Sequence, residues 1–103
     1  MSKGDDVWRA RDMIVLLLYD KGAWREGAAV KSQAAFKHEV TEKAGEYRLD
    51  LSEADIEELF VMLAEEDVIP GWSGRGGDPV WLTRDGFRLG REISARKGGE
   101  PYY

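Results

Sequence analysis

The sequence predicts a mainly α-helical domain with one small β-hairpin: three helices, a two-stranded hairpin and a closing helix, in that order. Three observations predict it. Apolar residues recur at three- and four-residue spacing in four separate windows. Two extended-looking stretches, "VIPGW" (68–72) and "PVWLT" (79–83), flank the glycine-rich turn "SGRGGD". At Thr83 the chain passes from strand-like "VWL" straight into helix-like "RDGFRLGREI".

The first helix is expected from about Val7 to Asp20. Asp5 or Asp6 caps its free amides, and Lys21-Gly22 ends it. Val7, Ala10, Ile14, Leu17 and Leu18 form one stripe, widened by Met13 and Leu16, so the helix should be covered on several sides. "GAWREGAAV" reads as a connection with room for a short strand at Ala28–Val30. A second helix follows, with Ser32 as N-cap, Phe36, Val40 and Ala44 facing inward, and Gly45 as its stop.

"EYRLDL" alternates Tyr47, Leu49 and Leu51 with polar residues and suits an extended connector. Ser52 followed three residues later by Asp55 is a variant of the capping box that opens helices. The third helix is then expected over 53–67, with Ile56, Leu59, Phe60 and Leu63 buried. Pro70 and Pro79 lack an amide donor, which restricts them to strand ends or edges. Thr83 caps a fourth helix over 84–97, with Phe87, Gly90 and Ile93 inward, and Gly86 lets its first turn approach the hairpin closely. A single domain over 7–97 is the expectation, with flexible ends at 1–6 and 98–103.

Composition excludes several function classes. The absence of cysteine removes disulfides, thiolate zinc sites and a cysteine nucleophile. A single histidine, His38, leaves little for an imidazole metal site; it reads as an ordinary partly exposed histidine or a pH-responsive contact. The run Glu65-Glu66-Asp67 is sequential and has no partner at a catalytic or metal-ligand spacing, and "GRGGD" lacks the phosphate-loop pattern. No enzyme, no cofactor and no metal are expected. The charged start "MSKGDDVWRARD" lacks a signal-peptide layout, and "MIVLLLY" (13–19) is short of the roughly 20 residues that span a bilayer. A cytoplasmic protein without a membrane role is the expectation.

Two stretches resemble a known superfamily. "LFVMLAEEDVIPGW" (59–72) looks like a third helix passing into a first wing strand. "VWLTRDGFRL" (80–89) looks like a second wing strand with the leucine-threonine-x-x-glycine step of MarR-like and PadR-like regulators, and "RARDMIVLLLYDKGA" is similar to their first helix. The chain therefore resembles a winged helix-turn-helix domain over about 7–97. The resemblance implies binding of double-stranded DNA, with the third helix in the major groove and the wing on the backbone or minor groove.

Charge distribution departs from that pattern. The net charge of −5 is concentrated in residues 52–70, which carry Glu53, Asp55, Glu57, Glu58, Glu65, Glu66 and Asp67 and no basic side chain. With the apolar stripe inward, Ala54, Glu57, Glu58, Val61 and Glu65 face outward. A phosphate field repels such a face. Basic residues lie instead at Arg75 in the hairpin turn and at Arg84, Arg88, Arg91, Arg96 and Lys97; Arg84, Arg88 and Arg91 share one helix face. Of the four tryptophans, Trp8 and Trp81 are expected in or against the core, and Trp24 and Trp72 are expected to be partly exposed.

Two functions follow from different classes. One is a DNA-binding transcription regulator, homodimeric, contacting double-stranded DNA through Arg75, Arg84, Arg88, Arg91 and Lys37. The other is a protein-interaction module whose acidic third helix binds a basic partner, in the manner of a phosphate mimic, through Glu57, Glu58, Glu65, Trp24 and Trp72. Solvated charged faces account for either set without any partner.

Overall fold

The computed structural model describes residues 3–23, 32–73 and 78–96. Within them the chain forms four helices: α1 (Lys3–Asp20), α2 (Gln33–Glu46), α3 (Glu53–Glu65) and α4 (Arg84–Arg96). None of these is long and apolar enough to cross a membrane.

The α1 helix begins a turn earlier than its periodicity suggests, because Asp5 and Asp6 lie inside its first turn. Asp6 is buried, and its Oδ2 accepts the backbone N–H of Asp50 at 2.7 Å. Arg9 Nη1 stands 3.5 Å from the other carboxylate oxygen. A buried carboxylate is tolerable only with such partners, and this one ties the connector before α3 to the start of α1. Every residue from Met13 to Leu18 is buried, as expected of a helix walled on several sides. The helix stops at Gly22, whose φ of 73° is in the left-handed region, with the Ala23 N–H returned to the Leu18 carbonyl at 3.0 Å.

The N-caps of α2, α3 and α4 sit where the sequence put them, whereas Asp5 and Asp6, expected to cap α1, lie within its first turn. Ser32 Oγ accepts the Ala35 N–H at 3.3 Å, and Ser52 and Asp55 exchange both bonds of a capping box at 3.1 and 2.9 Å. The α2 helix runs through Gly45 and does not end there; its reversal comes at Arg48 (φ 55°), with the Leu49 N–H bonded to the Ala44 carbonyl at 2.9 Å. Asp67 (φ 62°) plays the same part after α3. Thr83 caps α4: its Oγ1 accepts the Gly86 N–H at 3.0 Å.

The expected hairpin is absent. Among the described residues there is no strand, so the protein is a small all-α globule and not three helices with a two-stranded wing. Residues 78–82 form no strand, and most of their backbone partners lie away from 68–72. The Gln33 N–H bonds to the Asp78 carbonyl at 2.7 Å, Ser32 and Pro79 form an isolated antiparallel bridge, and the Leu82 N–H reaches the Ala23 carbonyl at 2.6 Å. The opposite stretch cannot supply a ladder. Pro70 has no donor, and Trp72 turns inward to stack on Phe60 with ring centroids 4.0 Å apart and planes 8° from parallel. Among the described residues the two stretches share a backbone hydrogen bond at the base, where the Thr83 N–H bonds to the Val68 carbonyl at 3.0 Å, and beyond their other end Ser73 Oγ donates to Asp78 Oδ2 at 2.7 Å.

Phe60 lies at the centre of the core, with Phe36 of α2 edge-on at 5.8 Å and Trp72 stacked on it. The α4 helix closes the globule against α1. Gly86, Gly90 and Ile93 are buried, and Phe87 lies against Tyr19 at 5.7 Å.

Candidate partner-binding face

Helix geometry divides the acidic residues of α3 among three flanks. At 3.6 residues per turn the buried stripe Ile56, Leu59, Phe60 and Leu63 leaves Glu53 and Glu57 toward α2, Asp55 and Glu66 toward α1, and Ala54, Glu58, Val61, Met62 and Glu65 outermost. On the inner flanks neighbouring cations pair with Glu53, Glu57 and Glu66, one lysine being shared between the first two. Among the described residues the carboxylates of the outermost line have no such partner.

On the α2 flank, Lys37 Nζ lies 3.0 Å from Glu57 Oε2 and 3.4 Å from Glu53 Oε1. Trp72 Nε1 donates to Glu57 Oε1 at 2.7 Å. The structure thus joins Lys37, expected among the DNA contacts, to Glu57 and Trp72 of the expected partner-binding set. Burial pushes the Glu57 carboxyl upward, but the Trp72 hydrogen bond and the Lys37 ammonium outweigh it, and its pKa falls below the ordinary glutamate value. Contact with Glu57 raises Lys37 above the ordinary lysine value against the opposing effect of burial.

The sign of the linkage follows. A depressed carboxyl stabilises the fold above the unfolded glutamate pKa, and that stability is lost as pH falls through the folded value. Glu57→Gln keeps an acceptor for Trp72 and removes the charge. Wild type should exceed this variant by under about 1 kcal/mol near neutral pH, since the pair is partly exposed, and the gap should close in acid. Urea titrations of both proteins from neutral to acid pH check this; a gap that widens in acid contradicts the assignment.

On the α1 flank, Arg11 Nη2 reaches Glu66 Oε2 at 2.9 Å, and Nε of the same guanidinium is 3.3 Å away. The Arg11 guanidinium also lies 5.3 Å from the centre of the Trp8 ring, in reach of a cation–π interaction. Trp8 is 62 % exposed, which corrects its expected place in or against the core. The signal for this was present in its helical neighbours: Asp5, Arg11 and Asp12 stand three or four positions away, so Trp8 belongs to a charged flank. Between α1 and α3 runs a cleft of about 410 Å³, lined by Gly4, Val7, Asp55, Glu58, Leu59 and Met62.

Val61 and Met62 are 40 % and 39 % exposed. Among the described residues, neither Glu58 nor Glu65 has an ion-pair partner. The outer line of α3 is therefore two free carboxylates one heptad apart with two exposed apolar side chains between them.

The basic set is dispersed. Arg84, Arg88 and Arg91 are exposed and share the side of α4 opposite its buried glycines, with Arg88 4.0 Å from Asp85. Lys37 is not with them. Arg75 and Trp24, and the possible strand at 28–30, lie outside the described residues. Trp81 is half-buried and lines a second cleft with Trp72, Pro70 and Pro79. His38 is exposed, with Nε2 3.0 Å from Glu42. Among the described residues no group of acidic or histidine side chains has a metal-binding arrangement. No known protein family, no curated protein and no solved structure matches the chain.

Proposed function

We propose that the protein is an interaction domain whose α3 face binds a basic protein partner. The observation that supports it is the outer line of α3, where exposed Val61 and Met62 lie between Glu58 and Glu65. Large exposed apolar side chains in a charged frame favour a protein partner, since burial of the apolar centre supplies affinity and the carboxylates supply orientation and encounter rate. Trp8 on α1 is exposed as well, against the Arg11 guanidinium that pairs with Glu66. Glu57 does not contribute, because Lys37 and Trp72 hold it within the fold.

A second reading rests on α4. Arg84, Arg88 and Arg91 form an exposed row suited to the phosphates of double-stranded DNA. Three such contacts predict weak, salt-sensitive binding, opposed by the acidic face of α3.

One titration separates the two. Fluorescence anisotropy is followed for a labelled lysine- and leucine-rich peptide and for a labelled mixed-sequence duplex, each at low and physiological salt. The peptide is expected to bind wild type and to lose at least about tenfold in affinity to Glu58→Lys/Glu65→Lys, mainly through slower association. Duplex binding that is lost in Arg84→Glu/Arg88→Glu/Arg91→Glu, with no peptide binding, refutes the first reading and establishes the second.

A further inference from the structure

The acidic face has a geometry that specifies more than the charge of its partner. Glu58, Val61, Met62 and Glu65 occupy positions i, i+3, i+4 and i+7 of α3, so the two carboxylates stand about 10 Å apart along the helix axis with the apolar pair between them. The pattern reads the same in either direction. Beside it, the α1–α3 cleft offers apolar walls at Val7, Leu59 and Met62. The Arg11–Glu66 pair bridges the two helices one turn beyond Met62, under the Trp8 ring.

We infer that this face seats an amphipathic helix of the partner, bearing two basic residues seven positions apart against Glu58 and Glu65 and two apolar residues between them against Met62 and Val61. The inference rests on the protein-binding reading and adds the conformation and register of what is bound. Charge complementarity selects the flanking residues. Helical rise selects their spacing, because an extended segment covers the same span in about three residues at 3.3 Å each. The mode of docking follows from what the fold offers. Among the described residues there is no strand whose edge an extended peptide would join, whereas a groove between two helices takes a third by interdigitation of side-chain ridges.

The test uses two synthetic peptides of identical composition on an alanine–glutamine helical background. In one, arginines seven apart enclose two leucines at the third and fourth positions. In the other, the arginines are three apart, and the leucines lie on the far side of the helix. Both are titrated by anisotropy into the full chain, wild type and Met62→Gln, with peptide helicity followed by circular dichroism. The seven-spaced peptide is expected to bind at least about tenfold tighter than its isomer, to gain helicity on binding, and to weaken with Met62→Gln. Equal binding of the two isomers to wild type overturns the register while leaving a basic partner in place. Binding of the seven-spaced peptide without gain of helicity overturns the helical conformation. Failure of both isomers overturns the inference; if the lysine- and leucine-rich peptide also fails, the protein-binding reading falls with it. Met62 is exposed at the outer line, so its replacement by glutamine leaves the core intact.

Discussion

Replacement of Phe60 by alanine is expected to remove about 3–5 kcal/mol of stability, the range for deleting a fully buried aromatic side chain. Phe60 has no exposed surface and carries two aromatic contacts, Phe36 edge-on at 5.8 Å and Trp72 stacked at 4.0 Å. A domain of this size commonly has about 5–15 kcal/mol in total, so the variant should lie close to its unfolding threshold at room temperature. The melting temperature should fall by roughly 4–8 °C for each kcal/mol lost. The loss is not confined to α3. Trp72 is the only large ring stacked on Phe60 among the described residues, and its Nε1–Glu57 bond orients the connector that follows Val68. Its emission should therefore move toward that of a solvated indole before the helices melt. Urea unfolding by far-ultraviolet circular dichroism, with tryptophan fluorescence in parallel, checks both parts. A loss below about 1.5 kcal/mol, the size of an ordinary surface-to-intermediate effect, would place the centre of the core elsewhere.

The elements that were legible in the sequence are those determined locally. Ser32, the Ser52–Asp55 pair and Thr83 each bond to a backbone amide within three residues, and all three cap the helices expected of them. The stripe Ile56, Leu59, Phe60 and Leu63 is buried as its spacing requires. What the sequence concealed depends on partners far along the chain. "PVWLT" reads as a strand, but the reading does not show which groups take its hydrogen bonds: Leu82 bonds to Ala23, Pro79 bridges Ser32, and only Thr83 bonds to the expected facing stretch, at Val68. A hairpin and a lone extended segment present the same local pattern.

The candidate site was half legible for the same reason. A count of charges identified α3 as acidic, and helix periodicity placed Glu58, Val61 and Glu65 outward. Counting cannot show that Glu57 is held by Lys37, or Glu66 by Arg11 across 55 residues of chain. Among the described residues those pairings leave Glu58 and Glu65 as the unpaired carboxylates on the outer line of α3, and with them the surface becomes specific. Trp8 was misplaced because an indole in an apolar-rich helix defaults to the core, although its charged neighbours point the other way.

Alanine at Gly86, Gly90 and Gly45 is expected to give effects of different sign, although all three glycines are helical. Intrinsic propensity alone favours alanine over glycine in a helix interior by about 1 kcal/mol. At Gly45 nothing lies within 4 Å of where the new Cβ would stand, so the variant should gain about 0.5–1 kcal/mol. At Gly86 the Cβ would overlap the Val68 carbonyl oxygen and stand 3.1 Å from Leu82 Cδ2. That oxygen is backbone and already accepts the Thr83 N–H at 3.0 Å and the Thr83 hydroxyl at 3.1 Å, so it cannot withdraw without breaking the cap of α4. Overpacking costs about 1–3 kcal/mol, and a backbone obstacle puts Gly86 at the upper end, so after the propensity gain of about 1 kcal/mol Gly86→Ala should be destabilising by a net of about 2 kcal/mol. Gly90 is intermediate: its Cβ would meet Tyr19 side-chain atoms at 2.9–3.1 Å, and the ring has some freedom to yield. Stability should therefore rank Gly45→Ala first, Gly90→Ala next and Gly86→Ala last, read as midpoints of parallel urea titrations. The ranking separates two accounts of the Thr83 junction. If all three alanines stabilise, propensity governs and α4 is not seated on the Val68 carbonyl. If only Gly45→Ala stabilises, the close approach of α4 to residue 68 is what Gly86 exists to permit, and the junction is held by packing in the absence of a sheet.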